Sequence, residues 1–428
     1  MISYTGRTMN NALNKTAPTC PACYADFHFV GNLSKKDFDG SAFNVECATY
    51  QCPNCQLVRM LAPITDQEIL EHYKTFILYS SLTGIGVGGQ TKEDIVRYQH
   101  YAEFMRDSDI TQGELIDIGC SRGGFIAYLS TLMPNIVLGG IDPDMRSVSQ
   151  AKLNNLAIQA GTAFTLPFTD NSKDCLSYFH VLEHIYDVDA ILKEANRVLK
   201  NNGCILIEVP DAERYPDKNS YVGPMYWLGL QEHVNHFSMT SLTYFLANNG
   251  FEMTKCVRTT LPMKGEMSYP SLLISARKLV SAQPHPALTL KVDAAVVPTV
   301  DSSSAHALKQ GNIFTAFFEE EKDKMQRMKE RILDLKEPFV FWGIGLEFFA
   351  LWATLGKDLA KRKVFLVDRN DAKIGLSVDG IPIENPNCVS PIGNLICSAY
   401  ISVASIKLEA KKLGWSDDAI HEMQGRIS

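Results

Sequence analysis

Leu115 to Phe125 reads LIDIGCSRGGF. An apolar run carries the chain to Asp117 and Gly119. Gly119, Gly123 and Gly124 then let the backbone turn and pass close to a ligand. Alone, this is any tight turn between a strand and a helix, and the flanking sequence decides. FIAYLSTLM reads as a short helix, and IVLGGID as a strand ending on Asp142. DMRSVSQAKLNNLA is a helix and DCLSYFHV a strand. VDAILKEANRVLK is a helix with Ile191, Leu192, Ala195, Val198 and Leu199 on its buried side. CILIEVP is a fourth strand, MTSLTYFLANNG a later helix ending at Gly250, and LLISARK a closing strand. This alternation predicts an α/β fold around a parallel sheet. Such sheets hold ligands beyond the carboxyl ends of their strands, where an acid like Asp142 can receive both hydroxyls of a ribose.

Four regions are expected: a zinc-binding module over 1–75, a ligand-binding α/β domain over 76–280, a linker and long helix over 281–336, and a C-terminal Rossmann-like domain over 337–428. In the first, Cys20 and Cys23 flank Pro-Ala, and Cys52 and Cys55 flank Pro-Asn. Two such pairs suit one tetrahedral structural Zn(2+), closed to water; buried free thiols are the alternative. Cys47 is an extra cysteine outside the set. In the lead-in to the second region, TKEDIVRYQHYAEFMRD places Ile95, Tyr98, Tyr101, Ala102 and Met105 on one helical face. Residues 280–311 are rich in Pro, Ser, Ala and Val. In the following helix Phe317, Met325, Met328, Ile332 and Leu335 form an apolar seam, which either packs on its own domain or joins subunits. In the last region FVFWGIG, a helix and KVFLVD repeat the strand–glycine–helix–strand–acid order, with Gly343, Gly345 and Asp368 at the turn and strand end.

Over 428 residues, 46% are apolar and 21% charged, values of a globular chain. The net charge of -7 argues against nucleic acid as partner. No run of about 20 apolar residues suggests a membrane span. The N-terminal stretch does not read as a signal peptide. Eleven cysteines are too sparse for a disulfide scaffold, so a reducing cytoplasm is expected.

With these motifs in order, residues 110–260 resemble the class I S-adenosylmethionine methyltransferases. The resemblance implies that the loop with Asp117, Gly119, Ser121 and Gly123 binds S-adenosyl-L-methionine, and that Asp142 holds its ribose. Phe164 to Pro167, with Phe164 and Leu166, would border adenine. RVLKNNGCILIEVPD matches the late helix–turn–strand, with Asn-Asn-Gly at the turn. The GCSRGG spacing is not GxGxxG, which disfavours a nicotinamide cofactor.

The three-part layout of nearly the whole chain further resembles the nucleotide-sugar C-methyltransferases, which methylate carbon 3 of a nucleoside-diphosphate 4-keto-hexose. That resemblance implies a nucleotide-sugar substrate. In QEHVNHFS (231–238) it gives Glu232 and His233 as the pair over the substrate, with His233 the base and His236 an additional histidine. In HVLEH, His180 and His184 stand where the family carries Asn and His. In FILYSS (76–81), Tyr79 is kept and Phe76 replaces a tyrosine.

The residues carry a chemical argument of their own. Four of ten histidines fall in two clusters after strands. Histidine titrates near neutrality and can take a proton from a carbon beside a ketone. The alternatives for His184 and His233 are structural hydrogen bonding, or a second metal set formed by His180, His184, His233 and His236. Glu183 is expected to face solvent or a helix start. Competing functions are O- or N-methylation of a sugar or related small metabolite, and a non-catalytic donor-binding scaffold.

Overall fold

The computed structural model describes residues 17–75, 88–217, 222–262, 268–280, 313–400 and 402–423. They build three sheets. The N-terminal module has β1 (His28–Ser34), β2 (Glu46–Gln51) and β3 (Val58–Leu61) as an antiparallel meander, followed by α1 (Asp66–Thr75).

The central domain opens with α2 (Lys92–Asp107), started by a Thr91–Asp94 capping box that satisfies two otherwise orphaned backbone donors. Its buried face carries Tyr98, Tyr101, Ala102 and Met105, as the periodicity predicts, while Ile95 of the same face is half-buried. There follow β4 (Gly113–Ile118), α3 (Gly124–Leu132), β5 (Ile136–Asp142), α4 (Met145–Leu153), β6 (Ile158–Ala160), β7 (Lys173–Phe179), α5 (Val188–Val198) and β8 (Leu199–Pro210). The chain continues through a helical turn, α6 (Tyr226–Gly229), then β9 (Asn235–His236), α7 (Met239–Asn248), β10 (Phe251–Pro262) and β11 (Ser268–Lys278).

Seven of these strands form one sheet in the order β10-β11-β8-β7-β4-β5-β6. The α/β fold around a parallel sheet is as expected, with an antiparallel edge added to it. β4 to β8 pair in parallel, but β11 runs antiparallel to both β8 and β10. Only five residues join β10 to β11, too few for a parallel crossover. The expected Asn-Asn-Gly turn is instead an irregularity within β8. Asn202 takes a φ of 63°, and the register against β7 jumps from Leu199 to Cys204.

β9 belongs to neither neighbour in sequence. It pairs antiparallel with β3, Val58 opposite His236, and so completes the module's four-stranded sheet. The module is therefore not confined to 1–75.

The long helix α8 (Ile313–Leu333) buries Phe314, Phe317, Phe318, Met325, Met328 and Ile332. Its seam is covered within the chain. Phe318 occupies the space a Cβ on Gly31 would need, and Phe317 lies 6.3 Å from the Tyr215 ring. The C-terminal unit holds β12 (Phe339–Trp342), α9 (Leu346–Leu359), β13 (Val364–Val367), β14 (Ser377–Val378), β15 (Ile381–Glu384), β16 (Asn394–Cys397), α10 (Val403–Lys412) and β17 (Ile420–Glu422). Its sheet is parallel except for the β14–β15 pair.

Candidate active site

β4 lies between β5 and β7, where successive connections leave for opposite sides and open a crevice above the strand ends. Gly119 and Gly123 take φ of 77° and 76° there. A Cβ at Gly119 would come within 2.7 Å of Val181, and one at Gly124 within 2.2 Å of the Gly89 carbonyl. The loop is thus pinned close to its neighbours. Asp142 accepts from the Ser121 and Asp144 amides at 2.7 and 2.8 Å. Asp117 accepts from the Ser177 hydroxyl at 2.7 Å. Burial raises Asp117 to about 7 and Asp142 to about 6; their hydrogen bonds only partly offset it.

A cavity of about 350 Å³ runs from Gly119, Ser121, Asp142 and Phe164 to His180, His184 and His233. Its lining includes seven of the sequence-derived site residues. Asp117, within β4, and Gly123, the residue capping α3, are not among the lining residues. Leu166 is not on the wall: it is buried in the core, its amide donating to Glu194 at 2.7 Å. Glu232 is behind the wall, 3.7 Å from His72 Nε2. Tyr79, with the rest of 76–81, lies outside the described residues.

The histidines separate into distinct roles. His180, held at a φ of 57° just after β7, faces two carboxylates. Its Nδ1 lies 2.9 Å from Glu183 Oε1, and its Nε2 lies 3.2 Å from Glu208 Oε2 and 2.9 Å from the Tyr269 hydroxyl. Burial would lower its pKa, but Tyr269, Glu208 and Glu183 raise it well above the usual 6.5. Burial would raise Glu208, yet His180, with Arg97 and Ser271, holds it at about 2. His180 and Glu208 are therefore a buried ion pair. Glu183, expected at the surface, is instead 1% exposed, because the 233–236 segment folds over it and Val234 donates to its carbonyl at 2.9 Å.

His184 Nδ1 meets the Tyr73 hydroxyl at 2.7 Å. His233 packs edge-on against His184, ring centroids 4.7 Å apart, and its Nδ1 has no partner among the described residues. Burial first, then His184, His236, His180 and Lys35, push its pKa well below 6.5, so the ring is neutral at pH 7. His236 sits in β9 off the cavity; its Nδ1 lies 3.0 Å from the Tyr215 hydroxyl, and burial lowers it to about 3. The four histidines thus do not converge as a metal set. The close group is Glu183, His184 and His233, with potential donor atoms within 4.8 Å of one another. Sequence reasoning missed Tyr73, Glu208 and Tyr269, whose roles arise only from tertiary contact.

In the module, Cys20 and Cys55 sulfurs lie 3.6 Å apart, and those of Cys23 and Cys52 3.3 Å. All four potential donors fall within 4.8 Å of one another. A tetrahedral Zn–S bond of about 2.3 Å implies sulfurs about 3.8 Å apart, so the four thiols fit one ion. Cys47 is buried and outside this group.

The C-terminal turn is already filled. Asp368 accepts from the Ile344 and Asn370 amides at 2.8 and 2.9 Å and pairs with Lys373 at 2.9 Å. Glu347 accepts from the Tyr400 amide at 3.3 Å. Its buried carboxyl stands at the helix start that a phosphate would need. The described contacts give Gly343, Gly345 and Asp368 a packing role.

Residues 92–255 match the family model described as a methyltransferase domain. A probable S-adenosylmethionine-dependent methyltransferase of Mycolicibacterium smegmatis is 24% identical over 39% of this chain and 63% of its own length. The ubiquinone/menaquinone biosynthesis C-methyltransferase of Haemophilus ducreyi is 31% identical over 23% and 42%. Among solved structures, the YcgJ protein of Bacillus subtilis is 20% identical and covers 43% of this chain and all of its own, at a TM-score of 0.37. The chain spans less than two thirds of the length of both curated relatives. The central region is thus a class I S-adenosylmethionine-dependent methyltransferase domain. Among the described residues, no helix is long and apolar enough to cross a membrane.

Proposed function

We propose that this protein is an S-adenosylmethionine-dependent C-methyltransferase acting beside the ketone of a nucleotide-activated keto-deoxy-sugar. The observation that carries the reading is the single cavity lined by both Asp142 and a neutral, buried His233 whose Nδ1 lacks a partner among the described residues. S-adenosylmethionine supplies an electrophilic methyl group. His233 takes the proton from the carbon next to the ketone, and the electron pair moves onto the ketone oxygen. His184, fixed by Tyr73, lines the same cavity and orients groups around that charge. The carbon would then take the methyl from the bound donor, with S-adenosylhomocysteine as the second product. Closure to water and alignment supply most of the acceleration. Cys20, Cys23, Cys52 and Cys55 hold a structural Zn(2+) that orders the module and takes no part in the chemistry. The protein works in the cytoplasm.

The test is incubation with methyl-labelled donor and a panel of nucleoside-diphosphate keto-sugars, followed by mass and carbon-attachment analysis. Label on the carbon next to the ketone is expected. Label on oxygen or nitrogen would replace this reading with O- or N-methylation. Tight donor binding with no product from any sugar would indicate a donor-binding scaffold.

A further inference from the structure

Lys35 is 4% exposed, and the mechanism above does not use it. It follows β1 and carries the module's backbone onward, its amide donating to the Val45 carbonyl at 2.8 Å. Its ammonium crosses to the central domain and donates to three carbonyls: Leu230 at 3.1 Å, Gln231 at 2.7 Å and His233 at 3.0 Å. An ammonium has three N–H donors, and here each has an acceptor within one turn of chain. The turn so gathered contains Glu232 and ends on His233, whose amide donates to the Leu230 carbonyl at 3.2 Å. Gln231 answers from the other side, its Nε2 donating to the Lys36 carbonyl at 3.0 Å. Downstream, β3 pairs with β9, and the Ser238 hydroxyl donates to the Cys55 carbonyl at 2.5 Å. The segment bearing the base is therefore tied to the zinc-type module as well as to the donor domain, where Val234 donates to the Glu183 carbonyl at 2.9 Å and Asn235 Nδ2 to the Ile185 carbonyl at 2.6 Å.

We propose that Lys35 is the positioning residue for His233: its three hydrogen bonds to the 230–233 turn set the place and angle of the imidazole over the acceptor. This rests on the reading of His233 as the base. A buried cation is costly unless its partners satisfy it, so a neutral side chain of the same length would fill the space without gathering the carbonyls. Burial lowers the Lys35 pKa, and Cys47 and Glu232 oppose that shift. Donor binding draws on β4, β5 and their loops, which Lys35 does not touch. A displacement of about 1 Å at a reacting group can cost about 100-fold in turnover.

Two variants test the assignment in the full-length protein. Lys35→Met should raise amide hydrogen exchange across 231–236 while leaving exchange in 113–142 and S-adenosylmethionine affinity unchanged. With a nucleoside-diphosphate 4-keto-6-deoxyhexose as acceptor, kcat should fall about 10- to 100-fold. Lys35→Ala should regain turnover with propylammonium but not with propanol, because a cavity of about 440 Å³ opens onto Lys35 beside Gln231. Wild-type exchange and turnover in Lys35→Met would overturn the proposal, as would equal failure of the amine and alcohol rescues. If the wild-type protein does not turn over any keto-sugar, the substrate reading fails, and unchanged exchange across 231–236 would still be needed to overturn the Lys35 clamp.

Discussion

Asp142 and His233 both line the cavity, and each yields a prediction at the scale of one side chain. Asp142→Ala removes the carboxylate that we propose accepts the donor's ribose hydroxyls. Hydrogen bonds to a charged group contribute about 1.5–3 kcal/mol, so donor affinity should weaken roughly 10- to 100-fold by calorimetry. An unchanged affinity in a folded variant would move the donor elsewhere. Asp142 is raised to about 6, and only its ionised form has full acceptor capacity. Donor affinity should therefore fall as pH drops through about 6. His233 is faced by His184, Glu183, His180 and His236, with Glu232 adjacent and Lys35 behind its turn. With its pKa well below 6.5, the acid limb of its pH–rate profile should also lie below 6.5. At this scale the sequence was informative where a side chain sits at a strand end, as Asp142 and Gly119 do. It misled at Glu183, whose burial depends on a segment fifty residues later folding across it.

At the scale of elements, the His180–Glu208 pair joins the residue just after β7 to the last rung of the β7–β8 ladder, where Glu208 is in register with Phe179. Glu208 also accepts from Tyr101, Tyr269 and Ser271, so α2 and β11 meet at the same carboxylate. Removing one partner of a buried pair costs about 3–5 kcal/mol. Glu208→Gln should lower stability by that amount in denaturant titration, and a loss under 1 kcal/mol would show the pair is not buried as described. The signs define a window. Glu208, lowered to about 2, adds stability that is complete above its ordinary 4.5 and lost as pH falls through 2. His180, raised, adds stability that is complete below 6.5 and lost as pH rises through its higher value. The pair should stabilise most between about pH 4.5 and 6.5. Helices and apolar strands were legible from periodicity, and α5 buries the face its spacing marks. The two-residue β9 was not, because nothing in Asn235–His236 announces a partner as distant as β3.

For the whole molecule, the consequence is that the cysteine module is part of the framework around the candidate site. The four-part division by sequence separated segments that the fold joins, since chain order cannot reveal that 230–238 completes the first sheet. The C-terminal unit also leans on this region, with the Tyr400 hydroxyl donating to the Pro224 carbonyl at 3.1 Å. Elemental analysis of untreated protein should find one zinc per chain, and its absence would contradict the four-thiolate site. A second equivalent lost in His184→Ala would instead assign metal to the Glu183, His184 and His233 group. Chelation should loosen the module and the 231–238 segment together, ending turnover while donor binding persists. Loss of donor affinity on chelation would mean that the donor sheet, too, depends on the module.

The central claim is that His233 takes a proton from carbon. The most direct measurement uses a nucleoside-diphosphate 4-keto-6-deoxyhexose in deuterated water without the methyl donor, followed by NMR at the carbon next to the ketone. Wild-type protein should wash deuterium into that position, and His233→Ala should do so about 100- to 10,000-fold more slowly, the usual worth of a positioned proton-transfer group. Exchange in His233→Ala as fast as in wild type would contradict the account.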